Sequence, residues 1–327
     1  MKGMILAAGL GTRLYPLTAF RAKPAIPFLN RPLLQYSRDL LIEAHLTDIV
    51  INSHHLPSSV REALESEARL DGHRVTFSHE DTILGSAGAI GKVREFLKDD
   101  TFVVCNGKVY CEQDLEPVIR FHRDHNNLVT LVLVRHSAED AYASVMVDDQ
   151  TNITGFRPEC PGNSFVFTGI HVLDPQIFDF IPEGPSKTVD DIYPRLIQEG
   201  CRVQAFISEA YWCECSTSRN YLSNSLEVLH RKNLDNLIDS ETQSSCDGVI
   251  SAPSVHLAPS CVLKNTILWD DVTVGEGTTL SDVIITAGVT LKAHSHLKNS
   301  IVTPQSRKLD HPSIVGRHVE DYCVFPL

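Results

Sequence analysis

No run of about 18 apolar residues occurs in the chain, so no segment reads as a membrane-crossing helix. The apolar opening "MILAAG" is too short for a signal-peptide core and runs straight into "GTRL"; it reads as a buried strand, not a targeting segment. Positive charge is also scarce. The 29 Lys and Arg residues face 41 Asp and Glu, for a formal charge of −12, and no basic patch spans the chain. That balance argues against nucleic acid or an anionic membrane as partner, and leaves room for a local basic pocket that takes phosphates. The nine cysteines are scattered, and none belongs to a paired CxxC. Cys213 and Cys215 form a lone CxC without a second pair at zinc-finger spacing, so the thiols read as reduced, in a cytoplasmic setting. The GxxxxGKS/T and GxGxxG phosphate motifs are both missing.

What is present is the composition of a globular protein. With 327 residues, 43% hydrophobic and 21% charged, the chain can form a large core and more than one domain. Up to about residue 235, short apolar runs alternate with amphipathic segments. "GMILAA" (3–8) precedes a helical pattern at 33–44, "DIVINS" (48–53) one at 57–68, "RVTFSH" (74–79) one at 86–97, and "TFVVCN" (101–106) one at 114–125. This alternation predicts an α/β domain with a mostly parallel sheet, and places the chemistry in the loops after residues 8, 53, 79 and 106. Further helical patterns cover 188–199, opened by Asp190 and Asp191, and 217–238.

From 249 onward the period changes to six. Val249, Val255, Cys261 and Ile267 form one ladder, Val283, Val289, Ser295 and Ile301 continue it, and Leu268, Val274 and Leu280 bridge the gap. Six-residue spacing with β-branched residues and small spacers predicts a parallel β-helix. A polar, turn-forming stretch places the domain boundary near 240–248. Repeat coils with open edges also predict self-association as a homo-oligomer.

The densest signal lies in "LAAGLGTRLYPLTAFRAKPAIPFLNRPLL" (6–34). Gly9 and Gly11 follow a strand, where residues without Cβ let backbone N–H groups close on phosphate oxygens. Arg13 adds a planar guanidinium fork, and Lys23 a mobile point charge. This run resembles the GxGTRLxPLTxxxPKPxxP signature of the sugar-1-phosphate nucleotidyltransferases, a family that includes mannose-1-phosphate guanylyltransferases; Ala22 stands where the family has Pro. "EDTILGSAGAI" (80–90) resembles the family's LGTAGA segment, "FTGIHVL" (167–173) its strand beside the sugar, and "YWCECSTSRNY" (211–221) its W-x-D-x-G-T-P-x-x-Y.

The resemblance implies a Rossmann-like nucleotide-diphospho-sugar transferase domain over 1–240 and a C-terminal left-handed β-helix with a tail over 246–327. It implies that an oxygen of a sugar-1-phosphate attacks the α-phosphorus of an NTP and pyrophosphate leaves, with GTP and mannose-1-phosphate or a related sugar phosphate as the first guess. The implied nucleotide contacts are Leu6, Ala8, Gly9, Gly11, Thr12, Arg13, Gly85, Ser86 and Asn106. The implied sugar-phosphate contacts are Gly107, Arg157, Thr168 and Gly169, with Arg13, Lys23 and Lys108 as catalytic cations.

Mg²⁺ is the implied cofactor, and here the chain departs from the family. The expected metal-binding Asp is Lys108, in "FVVCNGKVYCEQDL", and the second ligand position holds Glu214. An ammonium cannot ligate Mg²⁺. Three readings of Lys108 follow: a homologue that binds nucleotide without turnover, an ammonium that neutralises the α-phosphate in place of a metal, or a substitution introduced to silence an enzyme. Lys108 could also pair with Glu112 or Asp114 at the surface. "FRPECP" (156–161) likewise differs from the family's E-K-P, leaving Arg157 as the nearest cation. His54 and His55 lack a third nearby ligand, Trp212 reads as core packing, and His294 and His296 read as surface positions.

Overall fold

The apolar run at the start of the chain forms β1 (Lys2–Leu6), which pairs in parallel with β2 (Asp48–Ser53) on one side and β4 (Phe102–Asn106) on the other. Next to β2, again in parallel, lies β3 (Arg74–His79). Helices alternate with these strands: α1 (Leu33–Glu43), α2 (Pro57–Glu65), α3 (Gly85–Lys92), α4 (Arg94–Leu97) and, after β4, α5 (Leu115–Asp124). The computed structural model describes all residues except 66–72, 137–141, 159–163, 239–243, 307–308, 310–315 and 320.

Beyond α5 the sheet is no longer mainly parallel. It continues with β5 (Val129–His136), β6 (Ser144–Val147), β7 (Ile153–Arg157), β8 (Ser164–Leu173) and β9 (Val203–Ser208). β8 runs antiparallel to β4, β5 and β6, and β7 runs antiparallel to β6; only β9, next to β5, is parallel. The expected parallel sheet therefore holds for β1 to β4 and gives way afterwards, because short links such as that between β6 and β7 cannot carry a crossover. The order is β7-β6-β8-β4-β1-β2-β3, with β5 beside β8. Met4, Phe102, Val104, Leu131 and Tyr193 are fully buried in its core.

Three expected helices are shorter or broken. The 86–97 pattern splits at Val93 (φ −105°, ψ 22°) into α3 and α4. The 188–199 pattern begins as a π turn at Thr188–Ile192 and becomes α6 at Tyr193–Gln198. The 217–238 pattern gives α7 (Ser218–Arg231) and then stops: Asn233 turns left-handed at φ 56°, and the Leu237 N–H donates to the Val249 carbonyl at 2.8 Å. Residues after α7 are thus drawn into strand pairing that helical periodicity cannot reveal.

Contacts divide the chain into two compact units, Met1–Leu10 with Leu33–Cys213, and Gly11–Pro32 with Glu214–Leu327. Of the expected boundary at 240–248, residues 240–243 lie outside the described residues.

The second unit contains a coil of parallel strands, β10 (Ser245–Ser251), β11 (Val262–Leu268), β12 (Thr279–Ile285) and β13 (His296–Pro304). Register pairs Ser245 with Val262, Val262 with Thr279 and Thr279 with His296, a step of 17 residues. A second parallel ladder joins His256–Leu257, Thr273–Val274 and Thr290–Leu291 at the same step. Because 17 is one short of three sixes, the six-residue rows slip once per coil. Val249, Val255 and Cys261 are followed inward by Thr266, Val272 and Thr278, all at most 8% exposed. The bridging ladder Leu268, Val274 and Leu280 is buried as well.

Each coil bends at left-handed corners. Gly248, Asn265, Asp282 and Asn299 have φ between 47° and 64°, Ser260, Gly277 and His294 between 58° and 66°, and Asp271 and Gly288 57° and 75°. Small polar residues and glycine tolerate this conformation, which explains their recurrence at the coil period. The segment past 304 returns through β14 (Arg317–Val319) and β15 (Tyr322–Pro326), and β15 pairs antiparallel with β13.

Candidate active site

In the first unit, the carboxyl ends of β1, β2, β3 and β4 carry a connected set of polar groups. Leu6 is in register with Asn106, and the Gly107 N–H donates to the Leu6 carbonyl at 3.0 Å. Ala8 is buried; Gly9 is exposed, and an added Cβ there would meet nothing within 4 Å. Asn52, at the end of β2, accepts from the Ala7 N–H at 2.6 Å and donates to a carboxylate oxygen of Glu80 at 2.7 Å. The other Glu80 oxygen accepts from the Leu84 N–H at 3.0 Å, and His54 Nδ1 lies 2.8 Å from the Glu80 carbonyl. Glu80 is 1% exposed, and its two buried carboxylate oxygens are satisfied by the Asn52 amide and the Leu84 N–H. Asn52 and Glu80 thus lie at two of the strand ends where the chemistry was expected, and neither had been named from the sequence. The available signal was a polar residue ending a buried strand and an acid directly after the next.

This network sets the start of α3. Gly85 has φ 72°, and a Cβ there would meet the Ser186 carbonyl at 2.5 Å. That carbonyl accepts from the Ala87 and Gly88 N–H groups at 3.0 and 3.1 Å, while Ser86 Oγ lies 2.9 Å from Thr188 Oγ1.

The end of β4 faces β8. Gly169, at φ 85°, leaves room for Asn106: a Cβ there would stand 2.2 Å from Asn106 Nδ2. Thr168 Oγ1 donates to the Val132 carbonyl at 2.9 Å, and the Thr168 carbonyl accepts from Trp212 Nε1 at 2.9 Å. Trp212 is thus buried packing, as expected. Lys108 is half-buried on the turn between Asn106 and Val109. Of its two expected surface partners, Glu112 accepts from the Tyr110 hydroxyl at 2.7 Å, and Asp114 caps α5 by accepting from the Glu116 N–H at 3.0 Å. Burial raises the Cys105 thiol and pushes Cys111 up to about 11, so neither supplies a thiolate at neutral pH. Arg157 is exposed on β7, with β6 and β8 between it and β4, and Glu159 to Pro161 of the "FRPECP" segment lie outside the described residues.

In the second unit, Gly11 adopts φ 67° ahead of a single 3₁₀ turn at Thr12–Leu14. A Cβ on Gly11 would meet Thr18 Cγ2 at 2.7 Å and Lys23 Cβ at 3.2 Å, so this glycine lets the loop close on the lysine stem. Thr12 and Arg13 are exposed, and Arg13 forms no ion pair among the described residues. Lys23 is the opposite case, 8% exposed, with Nζ 3.3 Å from a Glu214 carboxylate oxygen; Glu214 is 9% exposed. One cation therefore projects into solvent, and the other is anchored.

Residues 2–231 match the family model described as nucleotidyl transferase. The chain belongs to the nucleotidyl transferase family. It is 30% identical to a mannose-1-phosphate guanyltransferase of Pichia angusta across 93% of this chain and 99% of that one. It is also 30% identical to a mannose-1-phosphate guanyltransferase of Yarrowia lipolytica, over 98% and 92% of the two chains. The fold matches the crystal structure of HddC from Yersinia pseudotuberculosis complexed with GMP-PN, at TM-score 0.60 and 21% identity, covering 69% of this chain and 99% of that one. The nucleotidyltransferase fold and enzyme class expected from the sequence are thereby established.

The metal expected of this nucleotidyltransferase finds a poor donor set. Glu214 offers one carboxylate, and Lys23 already engages it at 3.3 Å. Among the described residues, no three His, Cys, Asp or Glu side chains converge as a metal site. Mg²⁺ takes an octahedron of oxygens, and among the described residues near Lys23 the protein offers it only the Glu214 carboxylate, so the remaining oxygens would have to come from water and the substrate phosphates.

Proposed function

We propose that this nucleotidyltransferase joins a nucleoside monophosphate unit to a sugar-1-phosphate, with GTP and mannose-1-phosphate as the first substrates to test. An oxygen of the sugar phosphate attacks the α-phosphorus of the NTP, a P–O bond forms, and the bond to the β-phosphate bridge breaks. The electron pair leaves with pyrophosphate, so no covalent enzyme intermediate is needed. Catalysis then rests on position and charge neutralisation.

The observation that carries the reading is the loop in which Gly11 closes on Lys23 while Arg13 projects free. Such a pair offers an anchored point charge and a planar fork to a polyphosphate. The choice of guanine and mannose follows the similarity to mannose-1-phosphate guanyltransferases, which extends over most of both chains. In the first unit, we assign Leu6, Ala8, Gly9, Asn106 and the Gly85–Ser86 segment to the nucleotide. We assign Gly107, Thr168 and Gly169, with Arg157, to the sugar phosphate. Lys108 adds a cation at the β4 turn, the second of the three readings above. The eight cysteines among the described residues are free thiols, which suits a reducing, cytoplasmic setting, and self-association belongs to the same reading.

The test is pyrophosphate release from a panel of NTPs and sugar-1-phosphates, with and without Mg²⁺, on the chain and on Lys108→Asp. Release by the unaltered chain, highest for GTP with mannose-1-phosphate, is expected. Silence in both proteins across the panel would overturn the reading.

A further inference from the structure

The family match ends at residue 231, yet the loop Gly11–Pro32 is fastened by residues well beyond it. The Arg21 guanidinium donates to the Asp270 carboxylate and lies over the Trp269 ring, 5.2 Å from its centroid. Trp269 is 1% exposed, and its Nε1 donates to the Tyr221 hydroxyl at 3.1 Å. That hydroxyl donates in turn to the Pro27 carbonyl, and Asn30 Nδ2 donates to the Ser251 carbonyl at 2.7 Å. The far side of this grip is rigid. The Trp269 N–H donates to the Ile285 carbonyl at 2.9 Å, and the Asp270 carbonyl accepts from the Gly288 N–H at 3.0 Å, so both residues are tied to the next coil.

Arg21 and Lys23 are separated only by Ala22, which is 0% exposed. Holding the guanidinium therefore limits where Lys23 can place its ammonium. Charge points the same way: Arg13, Arg21 and Lys23 crowd an 11-residue stretch that contains no acid. Like charges on a short loop repel, and Asp270 and Glu214 each oppose one of them. The Arg21–Asp270 pair is part-exposed, at 30% and 46% for the two side chains. A pair so placed adds little to global stability. Its consequence lies in local geometry.

We infer that Asp270 and Trp269, on the coil, are positioning residues for the nucleotide phosphates, acting through Arg21 on the loop that carries Arg13 and Lys23. The inference rests on the assignment of that loop to the NTP phosphates. The coil is then part of what makes the loop competent, and nucleotide affinity depends on a residue outside the matched domain.

The experiment compares the full chain with Asp270→Asn, Asp270→Glu and Arg13→Ala by KM for GTP, KM for mannose-1-phosphate, kcat and Tm. Asp270→Asn removes the charge at nearly constant shape. It should raise the KM for GTP about tenfold, the scale at which loss of an outer positioning partner is felt. The KM for the sugar phosphate and Tm should stay near their original values, and Asp270→Glu, which keeps the charge, should recover most of the GTP affinity. An unchanged GTP KM in Asp270→Asn, beside a large loss in Arg13→Ala, would overturn the clamp and leave the loop assignment standing. A parallel rise in both KM values with a fall in Tm would show a structural contact only. Normal GTP binding in Arg13→Ala would remove the loop assignment and the clamp with it.

Discussion

The first unit builds its core from residues brought together across long stretches of chain, whereas the coil of the second builds it from neighbours one turn away. In the α/β unit, Asn52 meets Glu80 across 28 positions, Asn106 meets Gly169, and Ser86 meets Thr188 across 102. In the coil, each buried row recurs at 17 residues and each corner at the same interval. The α/β unit can therefore bury single titratable groups in unique surroundings. The inward rows of the coil repeat what each turn can accommodate, mostly valine, isoleucine, leucine and threonine with an occasional thiol, and Trp269 is an exception where the coil meets Arg21 and Tyr221.

Acid should separate the two most strongly. His122 and His171 are buried in the first unit, and burial lowers them to about 4 and about 3 from an ordinary 6.5. A neutral imidazole that gains its proton only on unfolding stabilises the fold above pH 6.5, and this contribution is lost as pH falls from 6.5 toward 4. At pH 5 the loss is about 2 kcal/mol for each histidine. In the coil, Asp282 is held below its ordinary value by the Asn265 amide, so its contribution persists above the carboxylate range and is lost only at lower pH. Circular dichroism melts between pH 7 and 4.5 should show the α/β transition moving down first. Coincident shifts would erase the distinction.

A smaller effect should come from Leu280→Ala, which empties a fully buried position in the coil. The expected cost is about 3 kcal/mol. Hydrogen exchange should show faster opening in 245–304 and little change in β1 to β4. The smallest effect should come from Asp114→Ala, which removes the α5 cap bonded to the Glu116 N–H at 3.0 Å. It should cost about 1 kcal/mol, read by denaturant titration and confined to the α/β unit.

The same contrast explains what the sequence disclosed. The inward rows were legible because the repeat is local, and the left-handed corners could have been read from Gly248, Asn265, Asp282 and Asn299. The strand ends of the α/β unit were legible too, as loops after 53 and 79. Their occupants were not, since nothing near Asn52 in sequence announces Glu80. Nor does anything near Glu214 announce Lys23, 191 positions earlier. Helix ends failed for a similar reason: the amphipathic pattern ran on to 238, while Leu237 was claimed by Val249.

A parallel coil is, at its last turn, an unfinished template: a row of amides and carbonyls with no intrinsic stopping point. In this protein β15 pairs antiparallel with β13, reversing the direction that a further coil would need. Among the described residues the outermost strand is then β14, three residues long and led by Arg317 and His318. A short, basic edge is a poor seed for strand addition. On this side the described strands turn the sheet back on itself, and the direction of the coil is not carried further by them.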